Sequence, residues 1–215
     1  MADFIVRKFA AGDRQRVREI SCATAFLELP RKGIFSDEEI LADILTLYFT
    51  DYEPEFCFVA VADGRVCGYL TGAKDARLMD KRCGRVFPRV FFKALARGFF
   101  FRWVNLRFLW RLVWRSLLRG EFAMPDFSAE YPAMLHINME SSCRGRGIGE
   151  RLINAYLQYL RESGVKGVHF GSFSERAKGF FLKQGFEIVF QGRRSYLEPN
   201  AGQRVNFYVF AKKIL

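Results

Sequence analysis

The chain has 215 residues, of which 50% are hydrophobic, and a formal net charge of +11 at pH 7. This length and composition predict one domain, residues 1–215, with a sizeable core. No basic stretch followed by an apolar run opens the sequence, so we expect no signal peptide. Five scattered cysteines without a C-x-x-C pair, and only two histidines, favour reduced thiols in a cytoplasmic protein and predict no metal site.

The N-terminal part of the sequence has strand and helix patterns. Residues Phe4 to Phe9 alternate like a strand, and Asp13 is a suitable N-cap for a helix that turns Val17 and Ile20 inward. The capping box Ser36 to Glu39 precedes apolar residues at helical spacing and predicts a second helix.

A hairpin is predicted next. The β-rich runs Phe56 to Ala62 and Val66 to Gly72 are separated by the tight-turn signal Asp63-Gly64-Arg65. Both faces of the first run are apolar, which is typical of a strand covered on both sides. We therefore expect an α/β (α+β) fold with a mixed, mostly antiparallel central sheet and helices on both faces.

The excess positive charge lies in one segment. From Lys81 to Gly120 there are eleven basic residues and no Asp or Glu, and subtracting these 11 from 34 leaves 23 basic residues against 23 acidic ones elsewhere. The segment belongs to a connection, residues 73–132, that is too long to lack structure of its own. We predict a helical insertion here, between the third and fourth strands, with helices at Arg89 to Arg97 and Phe99 to Arg119.

The second of these helices has an aromatic side. One face carries Trp103, Leu106, Trp110, Val113, Trp114 and Leu117, and the adjacent face carries Arg107, Arg111, Arg115 and Arg119. Three interpretations stay open. The tryptophans pack onto the core while the arginines are solvated; or residues 89–119 rest on an anionic membrane; or they form a wall of the substrate site that attracts an anionic acceptor. Charges recur too often for a membrane span.

A glycine-rich turn stands out in the second half of the chain. Arg144 to Gly149 follows a strand-like run, Met134 to Met139, and begins an amphipathic helix that ends near Gly164. Such a turn lets backbone N–H groups converge at the positive end of the helix dipole, where a phosphate binds. A plain tight turn fits the same spacing, so the motif alone leaves both open.

The remaining sequence predicts three strands and one helix. Gly167 to Gly171 is strand-like, and Ser174 is a suitable cap for a helix that stops at Gly185. Phe186 to Phe190 and Val205 to Lys212 are the last two strands.

This order of elements resembles that of the GNAT acetyltransferases, most closely from Pro132 to Gln191. Arg144 to Gly149 matches the family's pyrophosphate-binding pattern R/Q-x-x-G-x-G/A, and Phe180 to Phe186 resembles its F-Y-x-x-x-G-F run. Two such motifs with a strand between them are more specific than either alone. Leu135 to Asn138 and Gly167 to Gly171 resemble a bacterial branch related to the acetyltransferase-like domain of O-GlcNAc hydrolases.

The resemblance implies acetyl-CoA as co-substrate and an amine as acceptor. A neutral amine would attack the thioester directly, with a strand N–H polarising the carbonyl, a base taking the amine proton and an acid protonating the leaving thiolate. The residues that the resemblance assigns to cofactor binding are Ile137, Asn138, Met139, Arg144, Gly145, Arg146, Gly147, Ile148, Gly149, Ser174 and Phe181.

The chain departs from the family at three positions. Phe181 stands where many members have the tyrosine that protonates the thiolate, Ser174 stands at the usual asparagine, and Asn138 stands where related proteins have an aspartate. The catalytic candidates that remain are His136, His169 and Ser174, with Ser172 or Tyr208 as further thiolate partners. Each histidine also suits a structural hydrogen bond, and Glu140 is either a base acting through water or a solvated carboxylate.

These features predict an acetyl-CoA-dependent N-acetyltransferase acting on a small-molecule or protein amine. The alternatives are a membrane-associated acyltransferase with an amphiphilic acceptor and a non-catalytic acetyl-CoA-binding domain. We expect no specific nucleic-acid partner, because the aromatic residues follow helical spacing rather than forming a stacking platform. A monomer and a homodimer both fit the sequence.

Overall fold

The computed structural model describes residues 4–29 and 33–215. Its strands are β1 (Phe4–Lys8), β2 (Phe58–Ala62), β3 (Arg65–Ala73), β4 (Ala133–Met139), β5 (Gly167–Ser172), β6 (Glu187–Arg194) and β7 (Val205–Lys213). Its helices are α1 (Arg14–Thr24), α2 (Glu38–Tyr52), α3 (Ala76–Ala96), α4 (Trp103–Trp110), α5 (Ser116–Leu118), α6 (Ile148–Glu162), α7 (Glu175–Lys183) and α8 (Glu198–Ala201). Residues 1–3, part of the stretch that carries the signal-peptide expectation, lie outside the described residues.

The strands form one sheet in the order β1-β2-β3-β4-β5-β7-β6. Neighbouring strands are antiparallel except β4 and β5, which run parallel. The apolar side of α6 packs on one face of the sheet, and α1, α2 and α3 cover the other. The predicted mixed, mostly antiparallel sheet with helices on both faces is therefore confirmed, as is the helical segment between the third and fourth strands.

Among the predicted N-terminal features, the hairpin turn is present and the two helix caps differ from the prediction. Asp63 and Gly64 both have positive φ angles, 51° and 75°, which gives the predicted hairpin a two-residue turn. The cap of α2 is a correction: Asp37, one residue after the predicted Ser36, accepts hydrogen bonds from the N–H groups of Glu39 and Ile40. Asp13 does precede α1, but its carboxylate bonds to Arg7 rather than to the helix.

The helices of the inserted segment differ from the prediction in their limits. The first begins at Ala76 and continues through Pro88, where the sequence predicted a break. Its buried side chains, Val86, Val90 and Ala94, form a stripe that packs with α2, so tertiary burial outweighs the hydrogen bond that the proline removes. The second predicted helix is divided into α4, a wider π turn at 111–115, and α5.

The orientation of α4 and α5 overturns one interpretation of their sequence. The tryptophans are outside: Trp103, Trp110 and Trp114 expose 73%, 59% and 50% of their surface. The arginines bind the protein instead, since Arg107 donates to the carbonyl of Gly33 and Arg115 to that of Ser195. The interpretation that the tryptophans pack onto the core is therefore wrong, whereas Arg107 and Arg119 are exposed to solvent as it expected.

Buried charges fix α3 against α2. Asp43 is buried, and its carboxylate forms ion pairs with Arg18 at 2.5 Å and with Lys93 at 2.7 Å. Burial opposes ionisation, but the hydrogen bonds from Lys93 and Arg18 prevail and lower the pKa of Asp43. Arg97 pairs with Asp37 at 2.8 Å one turn further on. Removing one partner of such a pair leaves a buried charge uncompensated, which costs stability.

A fully buried asparagine joins α4 to the start of α2. The Oδ1 atom of Asn105 accepts hydrogen bonds from the N–H and the hydroxyl of Ser36, at 3.0 and 3.1 Å. Its Nδ2 donates to the carbonyl of Phe99 at 2.9 Å. These hydrogen bonds hold α4 in an orientation that buries Asn105 and exposes the tryptophans.

We expect Asn105→Ala to lower the free energy of unfolding by about 2 kcal/mol, because it leaves buried backbone groups without partners. Chemical denaturation measures the change. Asn154→Ala, at an exposed position of α6, is the matched control and should change stability by less than about 0.5 kcal/mol. Equal stability of the two variants would contradict the anchoring role of Asn105.

Candidate functional site

The sheet opens between its two parallel strands. Within the described residues, β4 and β5 pair only at Ala133 with Val168 and at Met134 with His169. Beyond this point β4 continues along β3 to Met139, and β5 continues along β7 to Ser172. The facing strand edges therefore carry backbone groups that do not bond to one another, which suits the binding of an extended ligand.

The glycine-rich turn lies at the far end of β4. Gly145 and Gly147 both have a φ of +76°, a conformation that side chains rarely adopt, and Gly147 is the N-cap of α6. The first N–H groups of an α-helix have no acceptor within the helix, so they are open to an anion. The Arg144 guanidinium donates to the carbonyl of Met139 at 3.1 Å and ties the turn to the strand.

Close packing at the third glycine of the motif would force neighbouring side chains to shift for any larger residue. A Cβ atom at Gly149 would lie 3.0 Å from Cε of Met139 and 3.1 Å from Cζ of Phe180. Phe180, which sequence reasoning did not assign to the site, thus packs where β4, α6 and α7 meet. Its place in the family's helix-to-strand run is the signal that identifies it.

The position of α6 is fixed by a buried tyrosine. Tyr156 donates its hydroxyl hydrogen bond to the carbonyl of Met134 at 2.7 Å, at the last paired position before the sheet opens. Burial raises the pKa of Tyr156 well above its usual range, so the hydroxyl stays a donor. Gly72 makes this contact possible, because a Cβ at Gly72 would overlap the tyrosine ring.

The two sides of β4 face different parts of the protein. Leu135, Ile137 and Met139 pack with the core under α6. The side chains between them point to the side of α1 and α2, since strand residues alternate. There Asn138 donates from Nδ2 to the hydroxyl of Tyr69 at 2.9 Å. The Asn138 side chain is thus engaged away from the glycine turn.

Both candidate histidines lie on this second face, where the strands separate. His169 pairs with Met134, and His136 is two residues further along β4, so their side chains share a face of the sheet. The glycine turn with α6 lies on the opposite face. The opening between β4 and β5 offers a route between a group held by the turn and the histidines.

His136 sits beside Phe49 of α2, with ring centres 5.5 Å apart. The ring keeps exposed surface, but protein atoms crowd around it, and this desolvation lowers the pKa of His136. The imidazole is therefore neutral at pH 7 and able to accept a proton. Across the strand pair lies Thr71, whose buried hydroxyl has no partner within the described residues.

His169 is oriented by a backbone carbonyl. Its Nδ1 lies 2.6 Å from the carbonyl oxygen of Tyr131, which can only accept, so Nδ1 carries a proton and donates it to this hydrogen bond. Asp80 of α3 is close enough for the charge of His169 to act on it. Burial and Asp126 raise the pKa of Asp80, while His169 opposes the rise. No pattern in the sequence indicates this neighbour, because Asp80 lies on another element.

The start of α7 contains the candidate hydroxyl groups. Ser174 caps α7 as predicted, accepting from the N–H of Ala177 at 3.1 Å, and Ser172 accepts from the N–H of Ser174 at 3.2 Å. Tyr208 donates to Glu175 at 2.5 Å. This hydrogen bond raises the pKa of Tyr208 and lowers that of Glu175, so the tyrosine proton is already engaged.

Two other predicted residues have partners that limit their roles. Phe181 is buried in a cluster of aromatic rings, with its centre 4.6 Å from that of Phe170 and 5.1 Å from that of Phe210. Glu140 forms an ion pair with Arg16 of α1. The Glu140 side chain remains 31% exposed, so it is a partly solvated carboxylate whose charge is offset by Arg16.

The described residues hold no group of three or more His, Cys, Asp or Glu side chains that could bind a metal ion. Nor, in 4–29 and 33–215, is any helix long and apolar enough to cross a membrane.

A model of the acetyltransferase (GNAT) family matches residues 23–186, and the chain belongs to this family. Several solved structures share its fold at low sequence identity. They include SsHAT (21% identity, 99% of each chain, TM-score 0.64) and the Drosophila melanogaster polyamine N-acetyltransferase that forms N-acetylagmatine (17% identity, 98% of this chain and 100% of that one, TM-score 0.59). Another is yncA from Salmonella typhimurium, solved with its cofactor acetyl-CoA (13% identity, 99% and 94%, TM-score 0.57).

We expect Gly72→Ala to lower the free energy of unfolding by about 3 kcal/mol, because the new methyl group must displace the Tyr156 ring from the opening of the sheet. Gly179→Ala, in the middle of α7 with open space around it, should be neutral or stabilise by up to about 1 kcal/mol. Thermal and urea unfolding of both variants measures the difference. A Gly72 variant as stable as the parent protein would show that Tyr156 is not held as described.

Proposed function

We propose that this protein is an acetyl-CoA-dependent N-acetyltransferase that acetylates an amine. The observation that carries the proposal is the opening between β4 and β5, with the glycine turn on one face of the sheet and two histidines on the other. In a chain of the GNAT family, this arrangement separates a place for the acetyl donor from a place for the acceptor, and joins them through a gap in the sheet.

The residues of the turn and strand fit acetyl-CoA. The N–H groups at the start of α6 and the Arg144 guanidinium offer donors for a pyrophosphate, next to glycines that keep the backbone accessible. The edge of β4 at Ile137, Asn138 and Met139 offers backbone groups for the pantetheine amides. In this proposal Arg146 and Ile148 contribute through their backbone.

Bound acetyl-CoA supplies the activated acetyl group, and the chain supplies orientation and proton transfer. We assign the base to His136, since its lowered pKa leaves the imidazole free to take the amine proton at neutral pH. His169, whose Nδ1 is held by the carbonyl of Tyr131, lies on the same face and serves to orient the acceptor. A strand N–H along the opening polarises the thioester carbonyl.

Neither Phe181 nor Tyr208 is poised to protonate the leaving thiolate. Phe181 has no proton to give, and the hydroxyl of Tyr208 is bonded to Glu175. Ser174 uses its oxygen to cap α7 but retains its own proton, so we assign it the weaker role of hydrogen-bond donor to the thiolate. Phe181 supports the site by packing beneath it.

Phe181 and the engaged Tyr208 also motivate a second candidate, a non-catalytic domain that binds acetyl-CoA as a sensor. Such a domain would bind the cofactor tightly and release no CoA thiol with any amine. Our proposal includes a cytoplasmic setting, in keeping with cysteines that form no disulfide bond within the described residues.

We expect Gly147→Val to weaken acetyl-CoA binding at least about tenfold, because a branched side chain strains the φ of +76° and narrows the approach to the helix N-terminus. Gly164→Val is a close control: this glycine follows the other end of the same helix with a φ of +68° and open space around it. Isothermal titration compares the two. Equal affinities, or no binding by the parent protein, would refute the assignment of the turn.

We expect release of CoA thiol with at least one member of a panel of small amines and N-terminal peptides.

The kcat should stay constant around neutral pH and decline only below pH 6.5, because His136 acts as a base in its deprotonated form and its pKa is lowered. His136→Gln should reduce kcat by roughly 10²- to 10⁴-fold and abolish this decline. His169→Gln should mainly raise KM.

An unchanged kcat and pH profile in His136→Gln would exclude His136 as the base. Tight binding of acetyl-CoA without turnover of any amine would favour the sensor.

A further inference from the structure

The segment between β3 and β4 exposes an unusual amount of apolar surface. We call its main part the aromatic face, defined as Phe101, Trp103, Leu106, Trp110, Val113, Trp114, Leu117 and Leu118. Each of these side chains exposes at least 39% of its surface, and Phe101 and Leu118 expose more than 80%. Large exposed apolar patches on soluble proteins mark interaction sites.

The fold keeps this face outward. On the opposite side of α4 and α5, Asn105 and Ser116 are buried and Phe108 packs against Phe26 and Phe35. Asn105 bonds to Ser36 and Phe99, so the helix has one anchored side and one free side. The exposure of the tryptophans is therefore a property of the folded protein and not of a loosely attached helix.

A second helix extends the apolar surface. Phe87, Phe91, Phe92 and Leu95 of α3 are all more than 45% exposed. The ring of Phe91 lies 5.3 Å from that of Phe100, in the turn just before α4, so the two exposed surfaces adjoin. The remaining flank of α3 carries the basic residues that pair with α2.

Positive charge borders the aromatic face. Arg102, Arg107 and Arg111 donate to neutral oxygens, the carbonyls of Ser36 and Gly33 and the side-chain amide of Asn200, each at 3.4 Å. Their charges are thus not cancelled by these partners. Burial, then the repulsion of Arg107 and Arg115, lowers the pKa of Arg111, as expected where cations crowd together.

We propose that the aromatic face docks this protein on the surface of an anionic phospholipid bilayer. Tryptophan and phenylalanine side chains lie at the depth of the lipid headgroups, while arginines beside them reach the phosphates. The helices lie along the surface, in keeping with the finding that no described helix could span it. The proposal is independent of the acceptor and of catalysis.

The charge argues for lipid over two other occupants. A symmetric contact with a second copy would set the same arginines against each other, which like charges oppose. The phosphates of a nucleic acid could bind the arginines. The surface between the arginines, however, consists largely of Leu, Val and Trp at helical spacing, which offers no regular platform for base stacking. An anionic membrane satisfies both the apolar and the cationic groups.

Intrinsic fluorescence tests the proposal without modifying the protein, because all three tryptophans belong to the aromatic face. Vesicles of equimolar phosphatidylcholine and phosphatidylglycerol should shift the emission to shorter wavelength, and brominated acyl chains should quench it. Vesicles of phosphatidylcholine alone should bind at least about tenfold more weakly, and added salt should weaken the anionic interaction. Equal binding to both vesicles, or absence of quenching, would overturn the proposal.

Co-sedimentation with the same vesicles identifies the residues. Replacing Trp103, Trp110 and Trp114 together by Ala, and separately Arg102, Arg107 and Arg111 together by Gln, should each reduce vesicle binding at least about tenfold. The control replaces Ile5, Leu182 and Leu215 by Ala, exposed apolar residues away from this segment, and should bind like the parent protein. Binding that survives both substitutions would refute the assignment.

Two further readouts keep the test decisive. Circular dichroism establishes that the variants are folded, and if one is not, the quenching of the unmodified protein decides alone. Light scattering without lipid measures the mass. A dimer that hides the tryptophans and does not dissociate on vesicles would assign the face to a second copy and overturn the proposal.

Discussion

The hydroxyl of Tyr156 marks the point on which the arrangement of the site depends. It bonds to the carbonyl of Met134, the last β4 residue paired with β5, and so attaches α6 to the sheet where the strands begin to part. The glycine turn that starts α6 is positioned relative to the opening by this contact and by Arg144 at the end of β4. Because Gly72 of β3 provides the space for the Tyr156 ring, the geometry of the site depends on the joint packing of β3, β4 and α6. This explains how a motif of modest length acquires a defined geometry.

Sequence periodicity predicted the sheet, α6 and the glycine turn because each depends on local patterns. The stripe of α6 is regular, and positive φ angles at Gly145 and Gly147 follow from residue type. The opening between β4 and β5 could not be predicted from the residues, since it depends on where two distant strands stop pairing. For the same reason the partners of Glu140 and Tyr208 emerged only in three dimensions.

The helices before β4 show a different limit of sequence analysis. Amphipathicity revealed two distinct sides of α4 but not which one is buried. The decision rests on long-range partners: Asn105 reaches Ser36, and arginines beside the tryptophans reach backbone carbonyls of distant segments. Polar side chains thus attach these helices to the domain while the larger apolar residues remain outside. Pro88 within α3 is a further example, because the burial of apolar side chains along the helix outweighs the local cost of a proline in a helix interior.

The exposed tryptophans also govern how the protein behaves in concentrated solution. Their apolar surface attracts other molecules at short range, whereas the net charge of +11 repels them at longer range. This repulsion extends over a screening length of about 10 Å at roughly 0.1 M salt and shortens as salt is added. Colloidal stability is therefore greatest at low ionic strength. Purification at high salt removes the barrier that keeps these surfaces apart.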